Sequence, residues 1–375
     1  MDRNQHALLL SGGGARAAYQ VGVLKAIATF LPRNHSIPFP VICGNSAGAL
    51  NATSLACYAS CYHLGVRKLE WIWRNFKTHQ VYKTQLNDIL AYLAKRGLRR
   101  LQSEQVQSSP SSLLNNQPLR QLLRKTLNLH RIDRNILSGH LRAISVMGSN
   151  YSRHESVSFY QSQTDIEPWV RQNRRGVRTT INIEHLMASS AIPVVFPTVK
   201  IGDEFYGDGS VHQLSPLSAP IHLGAEKILI IGVEQPNKSS QFKNLESYPS
   251  TAAVAGHLLD TIFSDTLSSD LERMQRINET LELLTPKQKA KSELKPIECM
   301  VINPSQNFSE IANEHYHLLP AGIRGLLGVI GVKPDSESSL LSYLLFEKEF
   351  CQQLINIGYK DGLDKQEELK TFLEI

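Results

Sequence analysis

Apolar strand candidates alternate with helical stretches along the 375 residues, and that alternation predicts an α/β fold with a mainly parallel central sheet. The composition, 42% hydrophobic and 20% charged, suits a globular chain rather than a disordered one. Two glycine-rich turns near the N-terminus each fall between a strand and a helix.

Residues 6–11 form a short apolar strand that runs into Gly12-Gly13-Gly14. Val21, Leu24, Ala28 and Leu31 then recur at helical spacing, and Pro32 and Pro38 close the segment. A second apolar strand covers 39–43 and ends at Gly44. From Ser46 to Ala59, Ala and Leu occur on nearly all sides, the pattern of a buried helix. Residues 66–101 read as exposed helices carrying Lys and Arg. The stretch 103–117, rich in Ser, Gln and Asn, reads as a loop or insertion. Pro118 opens a helix that turns Leu119, Leu122, Leu123 and Leu127 inward. Further strands are expected at 141–147, 155–160, 227–233 and 297–302, and a hairpin over 199–206. Helices are expected over 183–191, 251–284 and 338–358.

Gly44-Asn45-Ser46-Ala47-Gly48 is a G-x-S-x-G stretch. A nucleophilic serine needs a tight strand-to-helix turn, and small neighbours let the chain reverse closely. Such a turn lifts the hydroxyl out of the sheet and sets it at a helix N-terminus, where partial positive charge favours a developing alkoxide. The plain alternative is a tight structural turn with an exposed serine.

Gly12-Gly13-Gly14-Ala15-Arg16-Ala17 also lies between a strand and a helix. Consecutive glycines let backbone N–H groups point into one cavity, suited to a cofactor phosphate or to the oxyanion of acyl transfer. A dinucleotide site wants an acidic residue at the end of the second strand, and Ile42-Cys43-Gly44-Asn45-Ser46 has none. No Lys-Ser/Thr pair follows the glycines, which excludes a Walker loop. Arg16 is expected either to brace the loop or to meet an anionic headgroup. A side chain at Gly13 is expected to cost activity at unchanged stability.

Gly207-Asp208-Gly209-Ser210 read alone is a turn. It gains meaning because Ser46 needs a base, and a carboxylate with an ordinary pKa near ~3.9 is ionised and can accept a proton.

Together the three stretches resemble the patatin-like phospholipase family of lipid acyl hydrolases. The segment Ala188-Ser189-Ser190-Ala191-Ile192-Pro193-Val194-Val195-Phe196-Pro197 resembles the one these proteins carry before the aspartate. The resemblance is strong over 7–235 and weaker over 236–375, although 341–358 resembles the C-terminal helix of bacterial members. It implies a three-layer α/β/α sandwich. It implies Ser46 as nucleophile, Asp208 as base, and an oxyanion hole from Gly12, Gly13 and Gly14, supported by Arg16, Gly44, Gly48 and Gly209. Neither metal nor cofactor is implied. Position 17 is Ala where Gly is usual, a matter of packing. Position 210 is Ser where Gly or Ala is usual, and its hydroxyl is expected to lower the basicity of Asp208.

Two other functions compete. A conventional Ser-His-acid esterase would use His212, four residues past Asp208. Against it, Ser46 follows only the second strand. A lipid-binding or regulatory module with a weak site is the other. Nucleic-acid binding rests on the net charge of +6 alone, with no motif or basic stripe behind it. The expected partner is a lipid or phospholipid, with transient membrane contact through Arg67, Lys68, Trp71, Trp73, Arg74 and Lys77, or through the apolar run 323–332.

By organisation, 1–235 is expected to be the catalytic core and 236–375 a mostly helical extension packed on it. The first residues carry no recognisable secretory signal, and no apolar run reaches membrane-spanning length. The cysteines number five, an odd count that suits reduced thiols. A cytoplasmic protein, peripheral at a membrane at most, is the expectation. Cys57 and Cys61 share a helical face but lack partners for a metal site, and read as inert thiols.

Overall fold

The computed structural model describes residues 5–85, 112–163, 165–236, 251–262, 266–329, 331–332 and 339–375. In chain order the strands are β1 (His6–Leu10), β2 (Val41–Asn45), β3 (Ala143–Asn150), β4 (Glu155–Ser162), β5 (Trp169–Arg171), β6 (Arg174–Arg178), β7 (Val199–Ile201), β8 (Glu204–Asp208), β9 (Lys227–Ile231) and β10 (Glu298–Ile302). They form one sheet in the order β10-β9-β1-β2-β3-β4-β6-β5, with the β7–β8 hairpin joined to β3.

The sheet is mixed, with a parallel majority. Five of the nine pairings are parallel. The run from β10 to β3 is wholly parallel, because helical crossovers join its neighbours. Beyond β3 short hairpins give the antiparallel pairings β3–β4, β5–β6 and β7–β8, while β6 returns beside β4 in parallel after β5. Their turns use left-handed residues at His154, Asn173 and Gly202.

Strand β1, His-Ala-Leu-Leu-Leu, is buried at every position, as a central strand covered on both faces should be. Its side chains alternate between two cores. Leu8 and Leu10 join Ile42 and Ile144 on one face. Ala7 and Leu9 join Val41 and Cys43 on the other. On the first face lie α1 (Ala18–Phe30), α2 (Ala47–Cys57), α3 (Tyr62–Arg74) and the helix Lys348–Asp364. On the second lie Ser218–His222 and Thr266–Glu282. The result is an α/β protein with helices on both sides of its sheet.

The C-terminal helix Lys348–Asp364 packs closely on α1. A Cβ at Gly22 would strike Ile355 O, and one at Gly358 would strike Tyr19 O, so glycine on both helices permits the approach. The single helix expected over 338–358 is two, Leu340–Leu344 and Lys348–Asp364. At the break, outside donors take the carbonyls: Tyr82 Oη donates to Leu344 O at 2.8 Å and Thr78 Oγ1 to Phe346 O at 3.3 Å. The expected 251–284 helix is likewise two, Thr251–Asp260 and Thr266–Glu282. The helix at Pro118 spans Gln117–Thr126 with the proline in its first turn. Of the loop expected over 103–117, residues 103–111 lie outside the described residues, as do 86–101 of the basic helical stretch.

The basic and aromatic face expected along α3 is mostly spoken for. Trp73 is buried and donates its indole N–H to Asn51 Oδ1 at 2.8 Å. Arg74 pairs with Glu70 at 2.7 Å, Lys68 donates to Tyr58 Oη, and Lys77 lies past the helix end. Trp71 is exposed. In the 323–332 run, Ile323, Leu327 and Val332 are core residues, and Val329 is exposed. No helix among the described residues is long and apolar enough to cross a membrane.

Candidate active site

In the sheet order, β2 and β3 lie to one side of β1, and β9 and β10 to the other. In open α/β sheets, ligands bind beyond the strand ends at such a reversal. Both glycine-rich turns sit there, after β1 and after β2, whose ends align at Leu10↔Gly44.

Ser46 joins β2 to α2 with φ 51 and ψ −128, a left-handed conformation that is strained for a side-chain-bearing residue. The surroundings hold it there. Its amide donates to Ser189 Oγ at 3.0 Å. The flanking glycines are steric necessities. A Cβ at Gly44 would meet Gly48 O at 2.5 Å, and one at Gly48 would meet Ser11 O at 2.5 Å. The turn therefore crosses itself and the end of β1 at backbone contact. Ser46 opens α2, whose N-terminus gives the hydroxyl a partly positive surrounding.

One strand brings Asp208 to this turn. Along the edge of β3 that faces away from β4, Met147 pairs with Asn45 and the next residue, Gly148, pairs with Asp208. Ser46 Oγ then donates to Asp208 Oδ2 at 2.6 Å. Both side chains are buried, Ser46 at 1% exposure and Asp208 at 0%. The segment that resembles the family before the aspartate supports the same corner: Asp208 N donates to Ala191 O at 3.0 Å and Gly209 N to Ser189 O at 3.3 Å. Gly209 is tightly placed, since a Cβ there would strike Asn45 Oδ1 and Met147 O.

Burial raises the Asp208 pKa from 3.8 to about 6. Hydrogen bonds from Ser46 and from the Ser210 amide and hydroxyl pull it down, and burial outweighs them. The direction expected for Ser210 holds, but it is the smaller effect.

The carboxylate takes the Ser46 hydroxyl and the Ser210 amide, whereas the ring contacts of His212 are with other aromatic rings. Its ring meets Tyr151 and His154 edge-on with centroids 6.1 and 6.4 Å away, and its amide donates to Ser149 Oγ at 3.0 Å.

The glycine loop runs from the end of β1 into a short 3-10 turn, Gly14–Ala17, ahead of α1. Gly12, Gly13 and Gly14 are buried, and among the described residues no backbone carbonyl outside that turn accepts from the Gly12 or Gly13 amide. Gly14 sits at φ 55 with Tyr343 O where a Cβ would be. A Cβ at Gly13 would lie 2.7 Å from Val233 Cγ2, so a side chain there disturbs the core as well, contrary to the expectation of unchanged stability.

Arg16 braces the loop. It is 1% exposed, donates Nε to Ser342 Oγ at 2.8 Å and Nη1 to Tyr343 Oη at 2.9 Å, and pairs with Asp260 at 3.0 Å. Its guanidinium lies over the Tyr343 ring, 3.8 Å from the centroid. Ala17 is fully buried, and its carbonyl accepts from Asn51 Nδ2.

Three neighbours of the site escaped the sequence analysis. Asn45 donates Nδ2 to Ser210 Oγ at 2.8 Å and also to Gln213 Oε1. Gln213 in turn reaches Met147 Sδ. Ser189 holds the Ser46 amide. Ser189 and Asn45 each lie within a stretch singled out in the sequence, without a role given to them, and Gln213 carried no signal. Among the described residues no cluster of His, Cys, Asp or Glu could hold a metal.

The sequence model of the family described as Patatin-like phospholipase matches residues 8–221, more than half the chain. The chain therefore belongs to that family. A curated relative, a cGAMP-activated phospholipase from Pseudomonas aeruginosa (strain BWHPSA011 / Pa011), is 44% identical over 59 residues. The match covers 16% of this chain and 18% of that protein. Among solved structures, VipD from Legionella pneumophila is 13% identical with a TM-score of 0.36, over 99% of this chain and 67% of that one. Human GIVD cytosolic phospholipase A2 is 10% identical with a TM-score of 0.46, over 100% of this chain and 60% of that one.

Proposed function

We propose that the chain is a serine acyl hydrolase that cleaves fatty-acyl esters of phospholipids through Ser46 and Asp208. The observation that supports it most is the 2.6 Å hydrogen bond from Ser46 Oγ to Asp208 Oδ2 on a strained strand-to-helix turn. Family membership supports the lipid ester as substrate class.

Asp208 takes the Ser46 proton as the oxygen attacks the acyl carbonyl, and an acyl-serine forms as the alcohol leaves with that proton. Water then attacks the acyl-serine with Asp208 again as base, and the fatty acid departs. The Gly12, Gly13 and Gly14 amides are the proposed donors to the carbonyl oxygen as it gains charge. The loop rests on Arg16, and Arg16 on the Ser342–Tyr343 segment. On this reading residues 1–235 carry the chemistry and 236–375 brace it.

The purified protein is incubated with a mixed phospholipid and neutral lipid panel, with and without cGAMP, the activator in the relative's name. Products are identified by mass spectrometry, and serine labelling by a fluorophosphonate is followed in parallel. Fatty acid release with labelling at Ser46 is expected. A folded protein that takes no label and releases no fatty acid favours the weak-site regulatory reading.

A further inference from the structure

Strand β4 carries Ser156, Ser158 and Tyr160 on the face of the sheet opposite Val157 and Phe159. Tyr160 is covered by Trp169, ring on ring at 4.9 Å. The two serines instead line a cavity of about 330 Å³ between β4, the β5–β6 hairpin and the 212–219 stretch. Ser215, Ser218, Arg174 and Arg273 complete its polar wall, and no Asp or Glu is among the described residues lining it.

Two nitrogens in that wall are buried without a hydrogen-bond partner, Arg174 Nε and His212 Nδ1. A buried donor left unpaired is costly, and such groups normally have a partner. Arg273 is 61% exposed, donates to Ser215 Oγ at 3.3 Å and forms a long ion pair with Asp270 Oδ1 at 3.7 Å, while Asp270 Oδ2 accepts from Leu217 N. Two guanidiniums and four hydroxyls around an acid-free cavity form a donor set for a tetrahedral oxyanion. A second chamber of about 410 Å³ shares Arg174, Arg273, Ser215 and Ser218; its lining adds Leu217, Ile221 and Met274 but also the carboxylates of Glu226, Asp270 and Glu293, so the anion is placed in the first cavity and not in this one.

We propose that this cavity is a second ligand site, which binds a phosphate group borne on a small organic molecule or a lipid headgroup. It is separate from Ser46 yet close to it in bonds. Gln213 lines the cavity and accepts from Asn45, the residue before Ser46. The inference does not rest on the hydrolase reading, because binding is measured without turnover.

Isothermal titration with glycerol 3-phosphate, with glycerol as control, and sedimentation with phosphatidylglycerol vesicles are run on the wild type, Arg174→Gln and Arg273→Gln. Melting temperatures verify the fold, and Arg273 is exposed enough to be replaced without touching the core. Saturable binding of glycerol 3-phosphate, absent with glycerol and weakened about tenfold or more by either substitution, is expected. Vesicle binding lost in both variants, without binding of the soluble ester, assigns the phosphate to a lipid headgroup. No binding in either arm, or binding that both variants retain, overturns the site.

Discussion

Ser210 donates its amide to Asp208 Oδ1 at 3.0 Å, while its hydroxyl accepts Asn45 Nδ2 at 2.8 Å. The hydroxyl that distinguishes this chain from the usual family pattern is thus tied to the residue beside the nucleophile. Asp208 keeps a pKa of about 6 because burial dominates.

That pKa has a cost in stability. The unfolded carboxyl loses its proton near 3.8, and the folded one holds it to about 6. The stability from this group is complete below the lower value and is lost as pH rises through the upper one. The gap corresponds to about 3 kcal/mol. Asp208→Asn should therefore be more stable than the wild type at pH 7.5, by about 1–3 kcal/mol, with the difference fading toward pH 4. Urea denaturation across that range measures it, and identical pH dependence in both proteins would count against a buried carboxylate.

Gly48→Ala should destabilise the protein by about 1–3 kcal/mol and depress turnover, because its Cβ would enter the carbonyls of Leu10 and Ser11. Denaturation midpoint and esterase rate are the readouts. An alanine variant with wild-type values of both would show that the two turns are not in contact as described.

Arg16→Lys keeps the charge but loses the fork that meets Ser342, Tyr343 and Asp260. Asp260 is about a third exposed, so the ion pair itself adds little, and the buried hydrogen bonds carry the effect. A loss of about 2 kcal/mol or more is expected, with lower turnover as the glycine loop loosens. A variant as stable and as active as the wild type would remove the bracing role.

The parallel half of the sheet was legible because its strands are apolar throughout. The antiparallel half was less so. β5 and β6, Trp-Val-Arg and Arg-Arg-Gly-Val-Arg, are short and half polar, and β6 is held by pairing with β4 and β5 by pairing with β6, rather than by any pattern of their own. The helix break at 345–347 depends on Tyr82 and Thr78, more than 260 residues distant, and leaves no local trace. In the site, Ser46 could be named because the chemistry of its turn is local, and Asp208 because Ser46 needs a base and the three stretches together resemble the family pattern. The partners of Asn45 lie 165 and 168 residues away, so only the register of β2, β3 and β8 brings them together. Trp73 misled because a tryptophan among basic residues reads the same whether it faces a bilayer or Asn51.

The central claim is that Ser46 works with Asp208 and without a histidine. A pH profile cannot separate the candidates, since a carboxyl at about 6 titrates close to an ordinary histidine near ~6.5. The decisive measurement is turnover of a p-nitrophenyl acyl ester by Asp208→Asn and His212→Ala side by side. The account predicts a loss of about 10⁴-fold in Asp208→Asn, which cannot accept the proton, and a rate within about threefold of wild type in His212→Ala. Severe loss in His212→Ala with a nearly normal Asp208→Asn would contradict it and make the site a conventional triad.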